Sequence, residues 1–244
     1  MRKTINWNAN WNFFKGVSEV GAKEGGEVVN LPHTWNATDG QDGGNDYFRG
    51  SCLYVKNLDK SEIPDGYECY LEINGANSSA DVYVGGKHLA HHDGGYSTWR
   101  VNVTDALADE TEIAIVVDNA PNEEVYPQMA DFTFYGGLYR DVNLIFVPKS
   151  HFDLDYFGGK GLMITPVMDG ANANVDVEVF VKGMEEGDEL VYTVYDKEEK
   201  EIMQVKSSDT KAHFTLENAH LWHGKKDPYL YCCEVELVRG GEVV

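Results

Sequence analysis

The sequence lacks any long apolar run, and this limits where the protein can reside. The longest uninterrupted apolar stretches in its 244 residues are five residues long, Ile113–Val117 and Tyr229–Cys233, whereas a membrane-spanning helix needs roughly 20. The basic pair Arg2 and Lys3 is followed by no apolar stretch, so the start does not resemble an intact secretory signal. We expect no membrane partner and favour the cytoplasm, with a periplasmic or secreted protein as the alternative if a signal peptide was removed.

Cysteines and basic side chains are scarce as well. The four cysteines lack the paired spacing of a zinc site, so we expect reduced, mainly structural thiols. Lys and Arg number 20 against 41 Asp and Glu, which gives a formal net charge of −21. A field of that sign repels phosphate backbones. We therefore expect no nucleic-acid partner, while neutral polar ligands remain allowed.

Catalytic and cofactor motifs are also missing. The sequence contains no GxSxG, HExxH or GxGxxG pattern and no phosphate-binding loop. On a regular strand His88 and His92 share one face while His91 points to the other, so a zinc site is not expected there. We predict neither a metal nor a cofactor, and the 41 acids by themselves do not indicate where catalytic carboxylates would lie.

The sequence is rich in the two-residue period of β-strands. In residues 174–182, for example, four valines at every second position alternate with Asp176, Glu178 and Phe180. No stretch has an apolar stripe of helical period longer than about two turns. Turn residues such as Gly85-Gly86 separate the segments, which favours antiparallel β-sandwiches. The predicted strands are 50–58, 67–74, 79–84, 98–103, 111–117, 138–147, 161–168, 174–182, 189–195 and 229–238.

Two long stretches break this rhythm, and we expect function there. Residues 31–50 are rich in Gly, Asp and Asn, and residues 119–137 carry four aromatic side chains. Loops of this length in compact domains are usually functional or disordered, and the aromatic content argues against disorder. The run of strands ends near Pro148, so we predict two domains, residues 1–148 and 149–244.

Aromatic side chains with short polar neighbours leave two interpretations open. Sugar binding uses aromatic faces together with Asp, Asn and His, but the same rings can simply pack a sandwich. Asp93, followed by Gly94-Gly95, can likewise present a carboxylate to a polyol at the margin of a sheet, or only form a turn. The aromatic residues concerned are Trp7, Trp11, Trp35, Tyr47, Phe48, Tyr96 and Trp99.

Six short segments, taken in order, carry a family resemblance. They are NLPHTWN at 30–36, DYFRGSCLY at 46–54, LEINGA at 71–76, ADVYVGG at 80–86, HDGGY at 92–96 and YGGLYRDV at 135–142. Together they resemble the N-terminal part of glycoside hydrolase family 2, the family of β-galactosidases, β-glucuronidases and β-mannosidases. The second half, through Trp222 and Pro228–Tyr231, is similar to the immunoglobulin-like domain that follows in this family.

The resemblance implies an all-β chain, with a jelly-roll (galactose-binding-like) β-sandwich followed by an immunoglobulin-like β-sandwich. In this family a (β/α)₈ barrel comes next and holds the acid/base and nucleophile Glu of a retaining hydrolase. A barrel alone needs roughly 250 residues, so we expect it to be absent here and the 244-residue chain to be inactive by itself. The intact protein's own barrel is then its partner, together with a carbohydrate substrate.

The end of the second sandwich suggests a further strand. Residues 239–242 read as a hairpin turn, and Val243-Val244 would begin the strand after it. We expect the second domain to lack most of this last strand. The unpaired edge could pair with a neighbouring chain, so a homo-oligomer is a possible partner arrangement.

The resemblance also assigns site residues. In β-galactosidases of this family, loops of the first domain reach the substrate, and the matching positions here are Asp93 and Asn45. Tyr126, Phe132 and Phe134 are then expected to pack against the barrel or between domains. The run from Asp39 to Gly50 is most like the β-galactosidase branch, so we expect hydrolysis of terminal β-galactosides. The alternatives are a β-glucuronidase or β-mannosidase of the same family, or a stand-alone carbohydrate-binding module.

Overall fold

The chain folds almost wholly into β-strands. A computed structural model describes residues 2–21, 24–39, 47–127 and 129–244. These residues form two compact units, Arg2–Pro148 and Lys149–Val244. Within the described ranges the only helical segments are two short 3₁₀ turns, Lys60–Glu62 and Thr104–Ala106, and no helix there could cross a membrane. The prediction of an all-β chain is confirmed.

The first unit contains ten strands in two antiparallel sheets. One sheet has the order β1-β10-β5-β8 and the other β3-β2-β4-β9-β6-β7. The first strand therefore pairs with the last, with Lys3 opposite Phe146. The strands are β1 (Lys3–Asn6), β2 (Trp11–Phe14), β3 (Glu27–Val29), β4 (Ser51–Asp59), β5 (Tyr67–Ile73), β6 (Ser79–Val84), β7 (Lys87–Asp93), β8 (Trp99–Asn102), β9 (Glu110–Asp118) and β10 (Val142–Pro148).

Alternating side chains from both sheets form the core of this unit. On β6, Ala80, Val82 and Val84 are buried while the residues between them are partly exposed. Trp7, Trp11 and Trp35 are at most 6% exposed, so these three tryptophans pack the sandwich and present no face to a ligand. Burying a large apolar side chain contributes about 1.5–3 kcal/mol, which explains why tryptophans are used here.

A bulge in β7 corrects the expected arrangement of the three histidines. The pairing of β6 with β7 passes from Val82 opposite Ala90 to Tyr83 opposite His88, so the register shifts at this point. An extra residue in one strand of a pair shifts the alternation of the side chains that follow. His88 and His91 consequently both contact Asp81, whereas a regular strand would have placed His88 and His92 on one face.

The second unit is a smaller set of antiparallel sheets. Its two main sheets have the orders β12-β13-β17 and β16-β15-β18-β19, and β11 pairs with β14. The valines that alternate along β13 join Tyr192 and Phe214 in the core. The strands are β11 (His151–Phe152), β12 (Leu162–Asp169), β13 (Asn172–Val179), β14 (Val181–Lys182), β15 (Glu189–Tyr195), β16 (Glu201–Ser207), β17 (Lys211–Leu216), β18 (Cys232–Arg239) and β19 (Glu242–Val243).

A buried ion pair joins distant parts of this second unit. The Arg239 guanidinium donates from Nε and Nη2 to the two carboxylate oxygens of Asp188, at 2.7 and 2.8 Å. It also donates to Ser150 Oγ at 3.0 Å. Asp188 is almost fully buried, and the hydrogen bond from Arg239 lowers the pKa of this carboxyl to about 2. Through Arg239, the pair therefore links β18 to Ser150, which directly precedes β11.

Candidate functional site

Two buried asparagines bring the two long loops of the first unit together. Asn36, in the first loop, accepts hydrogen bonds at Oδ1 from Gly136 N at 2.8 Å and from Asn119 Nδ2 at 3.1 Å. Its own Nδ2 donates to Phe48 O and to Asp39 Oδ1. Both Asn36 and Asn119 are fully buried. Since each amide both donates and accepts, the pair holds the described parts of 31–50 against 119–137.

The segment before β6 and the turn that follows β7 both contact the connection between β9 and β10. Asn77 and Gly137 form an isolated antiparallel bridge, and Asn77 Nδ2 donates to Tyr135 O at 2.7 Å. The Tyr139 hydroxyl donates to the carbonyl of Gly95, in the turn after β7. The β5–β6, β7–β8 and β9–β10 connections of the first unit therefore meet at one place, where a ligand site can be built.

Two adjacent glycines make this close approach possible. A Cβ on Gly136 would lie 2.0 Å from the Trp35 ring, and a Cβ on Gly137 would lie 2.5 Å from the carbonyl oxygen of His33. Gly137 also has a φ of +129°, a backbone conformation that residues with a Cβ rarely adopt. The Gly-Gly of YGGLYRDV thus lets the backbone lie directly on the first loop.

Asp93, which the sequence pointed to, lies at the end of β7 within a polar network. Its Oδ1 accepts from Ser79 Oγ at 2.6 Å and from Asn122 Nδ2 at 3.0 Å. Its Oδ2 lies 3.0 Å from His91 Nε2, and His91 Nδ1 lies 2.9 Å from Asp81 Oδ1. The Asp93 side chain keeps 28% of its surface exposed, so it remains accessible from solvent.

The network favours charged forms of both partners. The hydrogen bond from Ser79, followed by that from His91, lowers the pKa of Asp93. The hydrogen bonds to Asp81 and then to Asp93 raise the pKa of His91. Asp93 borders an open basin of about 560 Å³ whose other acids are Asp81, Asp118, Glu123 and Glu124. Such a basin supplies many hydrogen-bond acceptors for hydroxyl groups or cations.

A second depression lies on the aromatic loop. This aromatic cleft has a volume of about 200 Å³, and three of its rings, those of Tyr96, Phe132 and Tyr135, are 40–55% exposed. Tyr126, from the same loop, is 81% exposed. The principal lining residues are Asn77, Tyr96, Phe132, Phe134, Tyr135 and Tyr139.

The structure places the predicted site residues unevenly. Asp93 borders the acidic basin and Tyr96 lines the aromatic cleft, whereas Asn45 lies outside the described residues. Trp99, another candidate for sugar contact, is buried and stacks on His92 at 4.9 Å. Across the described ranges no group of three or more His, Cys, Asp or Glu is placed to hold a metal ion. Sequence reasoning missed the Asn36–Asn119 pair, because the partners are 83 residues apart and no local pattern links them.

Comparison with known proteins follows the same division into two units. Residues 48–156 match a family model described as glycosyl hydrolase 2 galactose-binding domain-like, and residues 160–244 match one described as glycosyl hydrolases family 2. A β-glucuronidase of Bacteroides fragilis is 30% identical over the whole chain, which covers 36% of that protein. A β-galactosidase of Thermoanaerobacter pseudethanolicus is 24% identical over the whole chain, which covers 34% of it.

A solved structure is similar throughout. The crystal structure of an FMN-binding β-glucuronidase from Faecalibacterium prausnitzii L2-6 superposes with a TM-score of 0.85 and 36% sequence identity, covering the whole chain and 38% of that protein. The chain thus spans about a third of the length of the curated relatives it matches. With two family models matched in succession, the chain belongs to glycoside hydrolase family 2 and comprises its galactose-binding-like and immunoglobulin-like domains.

Proposed function

We propose that the intact protein is a retaining β-glycosidase that removes a terminal β-linked glucuronic acid or galactose residue, and that this chain supplies two non-catalytic domains. The observation that carries the proposal is the succession of the two family 2 domains over residues 48–244. The relatives described above are named as β-glucuronidase or β-galactosidase. The regular elements among the described residues are strands and 3₁₀ turns, without the helices of a (β/α)₈ barrel, so the two catalytic carboxylates of such an enzyme would come from another domain.

Glucuronides have slightly more support than galactosides as the substrate. The two relatives at 30% and 36% identity both carry the name β-glucuronidase, and the β-galactosidase is 24% identical. Against this, the run Asp39–Gly50 resembles the β-galactosidase branch. We retain β-galactosidase as the second candidate, and β-mannosidase has no named relative among these three.

Hydrolysis by the intact protein tests the proposal directly. Purified full-length protein is assayed with nitrophenyl β-glucuronide, β-galactoside and β-mannoside, with this 244-residue chain as the matched control. We expect turnover of the glucuronide or the galactoside by the intact protein and a blank rate from the chain alone. Turnover of neither sugar by the intact protein would overturn the proposal, and turnover by the chain alone would contradict its non-catalytic role.

Within this function we propose that Asp93 accepts hydrogen bonds from substrate hydroxyls. Its accessible, ionised carboxylate at the end of β7 supports this role, whereas its three bonds to Ser79, Asn122 and His91 suit a structural one as well. In the intact enzyme, Asp93→Ala is expected to raise KM and lower kcat while the melting temperature of this chain stays nearly unchanged. A loss of several °C with unaltered KM would assign Asp93 to the turn alone.

A second acid provides the matched comparison. Asp131 is exposed and directly precedes Phe132, which lines the aromatic cleft. Asp131→Ala is measured in parallel, with the same substrate and the same melting experiment. If only Asp131→Ala changes KM and kcat, Asp131 and not Asp93 is the carboxylate that accepts hydrogen bonds from the substrate hydroxyls.

A further inference from the structure

The aromatic cleft of the first unit has the composition of a sugar subsite. Aromatic faces suit the C–H patches of a pyranose ring, and Asn77 contributes an amide at the edge of the cleft. At about 200 Å³ the cleft is smaller than the roughly 300–1,000 Å³ of sites for drug-sized ligands. This size fits a single sugar ring.

Two arginines lie against rings that line this cleft. The Arg140 guanidinium lies 5.2 Å from the centroid of the Tyr139 ring, and that of Arg49 lies 4.9 Å from the centroid of Phe134. Arg140 Nη1 also donates to Tyr96 O at 2.7 Å, which fixes the guanidinium beside the cleft. Such cation–π contacts leave the hydrogen-bonding edges of the guanidinium available.

Neither arginine is neutralised by a carboxylate that the structure describes. Arg100 pairs with Glu72 and Arg239 with Asp188, whereas Arg2 resembles Arg49 and Arg140 in having no described ion pair. The sequence has only five arginines and a net charge of −21. Arg140 is exposed and contacts Tyr96 and Tyr139, which line the cleft, so its guanidinium can meet an anionic group at the margin of the cleft.

We propose that the aromatic cleft binds one uronic acid ring, with the ring face against the aromatic side chains and the carboxylate on Arg140. Arginine suits this task because its planar fork can bind both oxygens of a carboxylate. The proposal deepens the function proposed above and rests on it for the biological source of the sugar. It names the glucuronide, in preference to the galactoside, as the sugar that the first unit selects.

Binding to the 244-residue chain tests the proposal without any catalytic step. Methyl β-glucuronide and methyl β-glucoside are titrated into ¹⁵N-labelled chain and followed by NMR chemical shifts. The two sugars differ only in the C6 carboxylate, so their difference isolates the ion pair. We expect saturable shifts around Tyr96 and Tyr139 and at least about tenfold tighter binding of the glucuronide, since a charge-assisted hydrogen bond is stronger than a neutral one.

Three variants separate the two parts of the site, and a fourth serves as the control. Arg140→Gln is expected to bring the glucuronide down to the affinity of the glucoside, and Tyr96→Ala to weaken both sugars alike. Lys87→Gln removes an exposed positive charge from the β6–β7 hairpin and serves as the control, with no change expected. Circular dichroism melts establish that each variant is folded, and Arg140→Lys, which keeps the charge but not the fork, is expected to bind with intermediate affinity.

The outcomes distinguish this proposal from the function on which it rests. Equal affinity for the two sugars, or no saturable binding by the folded chain, overturns the uronic acid subsite whatever the intact enzyme hydrolyses. Glucuronide binding that Arg140→Gln abolishes supports the subsite even if the intact enzyme hydrolyses only galactosides. In that last case the choice of glucuronide as the substrate fails while the subsite stands.

Discussion

Replacing Asn36 with alanine is expected to destabilise the first unit by about 3–5 kcal/mol. The substitution removes four hydrogen bonds from a fully buried amide, to Gly136, Asn119, Phe48 and Asp39. Among the described contacts, Gly136 N loses the one partner that the structure gives it, and an orphaned buried donor costs about 1–3 kcal/mol. The three other bonds together contribute about 2 kcal/mol, because their partners keep further hydrogen bonds.

Urea titration followed by tryptophan fluorescence measures this loss. Four of the five tryptophans lie in the first unit, so the signal reports mainly on that unit. The expected loss corresponds to a melting temperature lower by about 10 °C, at about 2–4 °C per kcal/mol for a domain of this size. In the intact enzyme the same substitution is expected to lower kcat/KM, because the loops that carry the aromatic cleft separate.

An exposed asparagine supplies the control. Asn12, on β2, points to solvent, and Asn12→Ala is expected to change stability by no more than about 0.5 kcal/mol. A loss below about 1 kcal/mol for Asn36→Ala would refute the reasoning. It would mean that the two long loops are held by other contacts and that the amide pair is incidental.

Three more predictions concern single residues. Because the pKa of Asp188 is lowered to about 2, the carboxylate stabilises the fold at a pH above its ordinary pKa near 3.8, and this stabilisation is lost as the pH falls through about 2. The unfolding free energy of Asp188→Asn, measured over the same pH range, should lack this dependence. Gly137→Ala is expected to cost about 3 kcal/mol or more in thermal unfolding, against about 1 kcal/mol for Gly170→Ala, whose added Cβ meets nothing within 4 Å. Burial raises the pKa of Cys52 to about 11 and that of Cys69 to about 12, so thiol reagents should modify these two cysteines only in urea. Because Cys232 is exposed, mass spectrometry locates the label, and rapid labelling of Cys52 or Cys69 in the native chain would contradict this.

The period of the sequence predicted those strands whose two faces differ in burial. The segment 79–84 coincides with β6, and the segment 174–182 overlaps β13, and in both strands buried residues alternate with more exposed ones. The segment 189–195 also coincides with β15, although that strand is buried on both faces. Alternation identifies such strands because one face is apolar and the other polar. The sequence of β16 itself gave no such signal, since its side chains are exposed or only partly buried. Its place in the sheet comes from pairing with β15.

The short strands at the start of the chain could not be predicted for a different reason. β1 has only four residues, none of them fully buried, and its partner β10 is about 140 residues away in sequence. The bulge in β7 was equally invisible, because a register shift depends on the partner strand. For the site, the two long loops were recognised from composition, whereas the contact between Asn36 and Asn119 arises only when the sandwich has closed.

The pairing of β1 with β10 also sets an order of events during synthesis. Lys3 through Asn6 pair with residues 143–146, so β1 waits for nearly the whole first unit to be synthesised before it acquires its partner. Long-range pairing of this kind slows folding and leaves strand edges exposed in the meantime. Nascent chains that end before residue 142 should therefore be sensitive to protease and recognised by chaperones, while chains extended past residue 148 should become resistant in a single step.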